Sequence, residues 1–435
     1  MTINALRRSG LLSILALLLV LPATAAARAE VSIAVDVATG KVLEQKDATA
    51  HWYPASTTKL MTAYLALKAL RDDPGVALDS PVIMTRRAAA EAPSKMGFEP
   101  GSVMRLDNAM RMMLVKSAND IAYAIGQMLA DGSMEAFVVR MNDEARRLGM
   151  KDTRFVNPNG LPQPGQYSSA RDLALLAMAI RRDFPAFLDY FGTEAISLNG
   201  KIFKNGNGLL GRFPGADGMK TGYICASGFN LVSSATRDGR TVVAVVLGAV
   251  GSIGRERMSA EILHKAFETD PATVDVTIDQ LQASTGEPVD ISKEVCSAAG
   301  RTARANERKA EANRKEPFGS PYTAEMDRPP VAVQVALGGA AGNALAEPGI
   351  TLIAAYGIPT PTARPFRPED IINSPPVIVA GTPEDEPVAV ASAIAEKTLN
   401  AADAAGPVAT TVNTADKSAR HGEVPIPQFA ERATN

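Results

Sequence analysis

Residues 53–70 read Tyr-Pro-Ala-Ser-Thr-Thr-Lys-Leu-Met-Thr-Ala-Tyr-Leu-Ala-Leu-Lys-Ala-Leu. Pro54-Ala55-Ser56 opens a long helix over roughly residues 57–70. Leu60, Met61, Tyr64, Leu65 and Leu67 cover much of its circumference, so this helix is buried and central rather than lying on the surface. Just upstream, Val31, Ile33, Val35 and Val37 alternate with small or polar residues, which predicts a strand. Thr39-Gly40 makes a turn, and residues 41–44 read as the hairpin partner.

Working outward, two helices flank residue 118, at about 107–116 and 120–130. A further periodic stretch, 135–148, stops at Gly149. Residues 169–181 repeat the pattern, with Arg171 and Asp172 near the start. Residues 218–224, 228–236 and 241–247 then read as three strands. Asp238-Gly239 between the last two is a hairpin turn. A helix over about 257–267 follows. Strands begin and end this region and helices fill its middle. The expectation is an α+β domain: an antiparallel sheet of about five strands, closed by its own termini, with packed helices and an inserted helical subdomain.

Composition narrows the function. The chain has 435 residues, 46% of them hydrophobic, with a formal net charge of −2. Near-neutral charge gives no electrostatic case for nucleic acid. Three histidines and two cysteines exclude a dense disulfide framework and show no zinc spacing. They also leave little for a Ser-His-Asp triad, and we expect neither metal nor cofactor. His51 is close to Ser56 in sequence, but no acidic orienter is evident, so it reads as structural.

Residues 1–29 have the layout of a secretory signal: Arg7 and Arg8, an apolar run from Leu11 to Leu21, and small Ala-x-Ala residues after it. The body is therefore expected to be exported, to the periplasm or cell envelope. Residues 30–270 form the expected catalytic domain. Residues 271–435 read as an Ala/Pro-rich, low-complexity tail, expected to be largely disordered. Short apolar runs at 331–337 and 350–356 could each form a strand. Arg301 to Lys315 reads as a solvated charged face. Cys225 and Cys296 could pair after export, although the expectation is that they do not.

Three motifs carry chemistry, and their order matters more than any one of them. Ser56-Thr57-Thr58-Lys59 is Ser-x-x-Lys, Ser117-Ala118-Asn119 is Ser-x-Asn, and Lys220-Thr221-Gly222 is Lys-Thr-Gly. Ser56 at a helix N-terminus meets free N–H groups. Lys59 lies one turn on, on the same face. A lysine buried against an apolar helix can lose its proton and activate a serine without histidine. Ser117 and Asn119 fall in a break between helices. Gly222, on a strand, lets a substrate backbone approach, where Lys220 and Thr221 could hold a carboxylate. Asp120 and Asp217 flank motifs and read as capping or turn residues.

Three such motifs in this order mark penicillin-binding proteins and β-lactamases. The sequence resembles the low-molecular-mass D-alanyl-D-alanine carboxypeptidase family over about residues 30–270. The resemblance is carried by residues 53–62, Lys116-Ser-Ala-Asn-Asp120, Phe155-Val-Asn-Pro-Asn-Gly-Leu-Pro162, Ala170-Arg-Asp-Leu173, Asp217-Gly-Met-Lys-Thr-Gly-Tyr223 and Gly254-Arg-Glu256. It implies a β-lactamase/transpeptidase-like fold and roles for the residues. Ser56 attacks the penultimate D-Ala carbonyl of a peptidoglycan stem peptide, or a β-lactam ring. Lys59 takes the proton, and Ser117 relays one to the leaving amine. Asn119 bonds the substrate amide, and Lys220 supports the proton network. Thr221 and Arg255 bind the terminal carboxylate. The backbone N–H groups of Ser56 and Tyr223 form an oxyanion hole.

Two departures stand out. No C-terminal β-rich domain or interfacial helix is evident, which leaves membrane association open. Asn205-Gly-Asn-Gly-Leu209 is also unusually glycine-rich just before the third motif. Rival readings are a DD-endopeptidase, a β-lactamase (though no Glu-x-x-Leu-Asn is placed to activate a deacylating water), and a cell-wall-binding protein without catalysis.

Overall fold

The computed structural model describes residues 30–340. The expected signal segment and the apolar run at 350–356 lie outside them. In chain order the elements are β1 (Val31–Asp36), β2 (Val42–Lys46), α1 (Lys59–Asp72), β3 (Pro81–Ile83), α2 (Arg86–Ala89), β4 (Val103–Arg105), α3 (Leu106–Val115), α4 (Asn119–Leu129), α5 (Met134–Arg147), α6 (Ala170–Asp183) and α7 (Leu188–Gly192). There follow β5 (Ala195–Leu198), β6 (Lys201–Lys204), β7 (Ala216–Ile224), β8 (Gly228–Arg237), β9 (Arg240–Ala249), α8 (Ser252–Glu268), α9 (Ser292–Cys296), α10 (Ala298–Glu311) and β10 (Ala332–Gln334).

The main sheet has five antiparallel strands in the order β2-β1-β9-β8-β7. The first strand pairs with the last, Val31 opposite Leu247, so the termini of the domain close the sheet as expected. Its central strands are apolar on both faces because both are covered. Ala34, Leu231, Val242, Ala244 and Val246 pack with Ala260, Leu263 and Ala266 of α8. Their neighbours Ile33, Val35, Val232, Val243, Val245 and Leu247 join the larger core with α6 and the helical insertion. This strict alternation is the period of two that a pleated strand imposes. At the β8–β9 turn, Asp238 and Gly239 have φ of 50° and 77°, the left-handed pair a two-residue hairpin needs.

The insertion between β2 and β7 holds α1 to α7, and α1 runs through its centre. Residues Lys59 to Leu67 of α1 are all buried, so its helix is set by packing on every side and not by one apolar stripe. Asp217 fastens the insertion to the sheet. It accepts both arms of Arg181 from α6, at 2.8 and 3.0 Å, and the hydroxyls of Ser234 and Thr236. This is a tertiary anchor within a strand, not the capping or turn role expected of it.

Residues 271–340 differ from the sequence expectation of a largely disordered tail. They hold α9, α10, β10 and several single turns. Val295 is fully buried, β10 pairs in parallel with β5, and the Gly338 N–H donates to the Val103 carbonyl. Little of this order comes from the segment's own periodicity. It comes from contacts with the domain body, which a composition reading does not see. The charged run does lie on a solvated helix: α10 buries no residue.

Cys225 and Cys296 form a disulfide, with Cα atoms 5.6 Å apart, against the expectation that they stay unpaired. Ile291 N–H donates to the Ala226 carbonyl, and Val295 seats α9 in the core. Together these bring Cys296 over the β7–β8 turn. The bridge closes a separation of 71 residues. A Cys225→Ser/Cys296→Ser double variant is expected to lose about 2–4 kcal/mol of unfolding free energy. Urea denaturation compares it with the wild type. A loss under about 0.5 kcal/mol would mean that packing of Val295 alone holds α9. Among the described residues, no helix is long and apolar enough to cross a membrane.

Candidate active site

A single 3₁₀ turn, Ala55–Thr58, delivers Ser56 to the start of α1. The turn is strained: Ala55 has φ of 49°, a left-handed conformation that costs an ordinary residue about 1–3 kcal/mol. Three neighbours hold it. Asn230 of β8 donates its amide to the carbonyls of Tyr53 and Pro54, at 3.0 and 3.3 Å. Gly160, at φ of 84°, sits so close that a Cβ there would lie 1.8 Å from the Ala55 oxygen. Gly222 of β7 packs on the other side, where a Cβ would lie 3.1 Å from the nitrogens of both Ser56 and Thr57. The glycine of the third motif thus lets the edge strand β7 approach the serine turn.

Lys59 is completely buried. Its Nζ lies 2.6 Å from Asn119 Oδ1, 2.6 Å from the Asn159 carbonyl and 2.9 Å from Ser56 Oγ. Burial, and next the nearby Lys220, hold its pKa well below the ordinary lysine value. A neutral amine has two hydrogens and one lone pair. The two carbonyl oxygens can only accept, so they take both hydrogens. In the neutral form the lone pair is left for the Ser56 hydroxyl to donate to; in the charged form the third hydrogen points at Ser56 Oγ. Serine and base are therefore already paired.

Asn119 is 3% exposed. Its Nδ2 donates to the Ala92 carbonyl at 2.9 Å, which turns Oδ1 onto Lys59. Asn119, expected to contact substrate, is thus also held beside Lys59. Ser117 sits in the break between α3 and α4, half-buried, at φ of 60°. Asp120, in the first turn of α4, accepts the N–H groups of Met96, Gly97 and Ile121, so it ties a separate loop to the helix beside Asn119 rather than serving as its N-cap.

Lys220 is 1% exposed, and its Nζ donates to the Thr221 carbonyl at 2.9 Å. Burial first, and Arg255 next, lower its pKa to about 7. Once Lys59 is neutral, it no longer repels Lys220. Arg255 is buried and forks onto Glu256 with two 2.5 Å bonds, while its Nη2 also donates to the Gly206 carbonyl at 2.8 Å. So Arg255 acts on the site through its field on Lys220 and its grip on the glycine-rich segment, with much of its fork already occupied. A Cβ on Gly206 would lie 2.9 Å from Thr221 Oγ1, which places that segment directly beside the third motif. Tyr223 is exposed on the edge strand, its ring 4.3 Å from that of Phe229 and its hydroxyl 3.3 Å from Cys296 Sγ.

Sequence reasoning missed several of these groups. Asn159 holds Lys59 through its backbone, and its side chain donates to the buried Glu91 at 2.8 Å. The Asn-Gly turn signal at 159–160 was visible, but nothing local told that it wedges against a serine a hundred residues away. His51 does have an acidic partner, Asp152 Oδ1 at 3.3 Å, and stacks on Tyr167. That pair fixes a loop and supplies no group to Ser56.

A buried lysine 2.9 Å from a serine, beside a Lys-Thr-Gly edge strand, is the arrangement expected of the penicillin-binding class. The D-alanyl-D-alanine carboxypeptidase model of peptidase family S11 matches residues 20–251, more than half of the chain, and the protein belongs to that family. It is 36% identical over 238 residues to the D-alanyl-D-alanine carboxypeptidase DacD of Salmonella typhimurium, covering 53% of this chain and 60% of that one. The chain thus spans about three fifths of that relative's length. Among solved structures, penicillin binding protein 5 of Haemophilus influenzae is similar at 31% identity and a TM-score of 0.52, covering 55% of this chain and 70% of that one. Penicillin-binding protein D2 of Listeria monocytogenes, in its cefotaxime-bound form, is similar at 28% identity and a TM-score of 0.50, covering 55% and 96%. The fold is that of the penicillin-binding DD-peptidases.

Proposed function

We propose that the protein is an exported serine D-alanyl-D-alanine carboxypeptidase that removes the terminal D-Ala from peptidoglycan stem peptides. The carrying observation is the fully buried Lys59, its Nζ 2.9 Å from Ser56 Oγ and held by the Asn119 and Asn159 oxygens, with its pKa well below the ordinary lysine value. Attack of Ser56 Oγ on the penultimate D-Ala carbonyl passes the hydroxyl proton to Lys59. Developing charge on the carbonyl oxygen is met by the backbone N–H groups of Ser56 and Tyr223. Ser117 returns a proton to the leaving D-Ala amine. Water then hydrolyses the acyl-serine by the reverse path. Thr221 and a protonated Lys220 receive the terminal carboxylate, and Gly222 admits the substrate backbone.

A β-lactam acylates Ser56 in the same way, a reading supported by the cefotaxime-bound relative. Residues 30–270 are the catalytic domain in this proposal, and the action is in the periplasm or envelope. A DD-endopeptidase would use the same groups on a cross-link. The test is incubation with fluorescent penicillin and with diacetyl-Lys-D-Ala-D-Ala. A covalent adduct mapped by mass spectrometry to the peptide holding Ser56, with release of free D-Ala, is the expected result. An adduct without D-Ala release, accompanied by cleavage of cross-linked dimers, would favour the endopeptidase. No adduct at all would favour a wall-binding protein without catalysis.

A further inference from the structure

Residues 317–331 lie beyond the stretch that defines the family, yet they thread along the whole segment leading into the third motif. Arg328 pairs with Glu194 through two bonds of 2.8 and 2.7 Å, and the Val331 N–H joins the same carboxylate. The Ala324 N–H donates to the Arg212 carbonyl at 3.0 Å. Met326 fills the space where Gly211 has no side chain. Phe318 presses on Gly208, so that a Cβ on Gly208 would lie 2.8 Å from Phe318 Cζ and 2.9 Å from Glu256 Cγ.

Phe318 is itself held in a costly conformation, φ of 61°, which a bulky residue keeps only when its surroundings insist. Its N–H donates to Glu311 Oε1, and its carbonyl accepts from Arg257 Nη1 at 3.3 Å. Both ends of the residue are thus tied, and the ring is directed onto Gly208. From there the contacts are continuous. The Gly208 N–H donates to Glu256 Oε1 at 2.8 Å, Glu256 holds Arg255, and Arg255 holds the Gly206 carbonyl beside Thr221.

We propose that residues 317–331 are a positioning strap for substrate recognition, with Phe318 clamping the glycine-rich segment against Thr221. The glycines that looked surplus in the sequence are then required, because Gly206 and Gly208 must fit between Thr221 on one side and Phe318 and Glu256 on the other. Phe318 touches no reacting atom; it acts through the segment that borders the carboxylate site. The substrate part of this inference rests on the peptidase reading above.

The experiment uses the full chain as wild type, Phe318→Ala and Phe318→Leu. Amide hydrogen exchange is followed over residues 205–209, with β8 as the internal control, alongside kinetics on diacetyl-Lys-D-Ala-D-Ala. In Phe318→Ala, exchange at 205–209 is expected to quicken and KM to rise about tenfold, with kcat within about threefold, the mark of lost binding that is equal in ground and transition states. Phe318→Leu, which restores bulk, is expected to recover most of both. A Phe318→Ala protein that melts earlier but keeps wild-type exchange at 205–209 and wild-type KM overturns the strap. Faster exchange at 205–209 with an unchanged KM confirms the clamp and overturns its part in recognition. A wild type that neither forms an adduct nor releases D-Ala overturns the peptidase reading, and the recognition role with it, while the exchange arm still reports on the clamp.

Discussion

Ser56→Ala is expected to abolish covalent labelling by penicillin and to lower D-Ala release by about 10⁶-fold, the scale seen when an acylating nucleophile is removed. The argument is geometric. Ser56 is the one hydroxyl within hydrogen-bond distance of Lys59 Nζ among the described residues. The turn that carries it is strained and is braced by Asn230, Gly160 and Gly222. Removing the hydroxyl takes away a partner of a neutral amine and leaves those braces intact. The variant should therefore melt within a few degrees of the wild type. An Ala variant that still labels, folded and at wild-type rate, would place the nucleophile elsewhere.

Lys59→Ala is expected to slow acylation by about 10²–10⁴-fold, the usual worth of a positioned general base. Lys59→Arg should do no better, because a guanidinium cannot give up its proton in this range. The pH dependence carries the same information. With its pKa lowered by burial, Lys59 is the neutral base above that lowered value. Activity should fall as pH drops through it and the amine takes up a proton. Lys220 works in the opposite sense. Its pKa of about 7 means that the charge awaiting a carboxylate is lost as pH rises. The profile of kcat/KM, which reports the free enzyme, should therefore descend above about pH 7. The profile of kcat should hold further up, since a bound carboxylate favours the charged lysine. A flat kcat/KM profile from pH 6 to 9 would remove Lys220 from this role.

Much of this was legible because the chemistry is local. Ser56 and Lys59 are one helical turn apart, so their pairing follows from spacing alone. The central strands were legible because apolar residues on both faces leave an almost unbroken run. The supports were not legible, since they arrive from distant parts of the chain. Asn159 and Gly160 reach the serine turn from beyond α5, and Glu256 reaches Gly208 from α8. The bond between Asn119 and Lys59 was not legible, because the direction in which an amide points depends on Ala92 across a loop. The disulfide and the strap were missed for one reason. Residues 271–340 have weak periodicity of their own, and their order is supplied by the surface they lie on.

The pairing of β1 with β9 has a kinetic consequence. Val31 meets Leu247 only after the whole helical insertion and three further strands are available, so the sheet closes through contacts very distant along the chain. Such long-range closure makes folding slow relative to helical proteins of similar stability. The serine turn leans on β7 and β8, which follow it in the chain only after the whole helical insertion. Chains in which β7 and β8 have not yet reached the turn therefore lack the braces of Gly222 and Asn230. Uptake of a β-lactam label would then count molecules in which β7 and β8 have docked on the serine turn, and serve as a stopwatch for refolding.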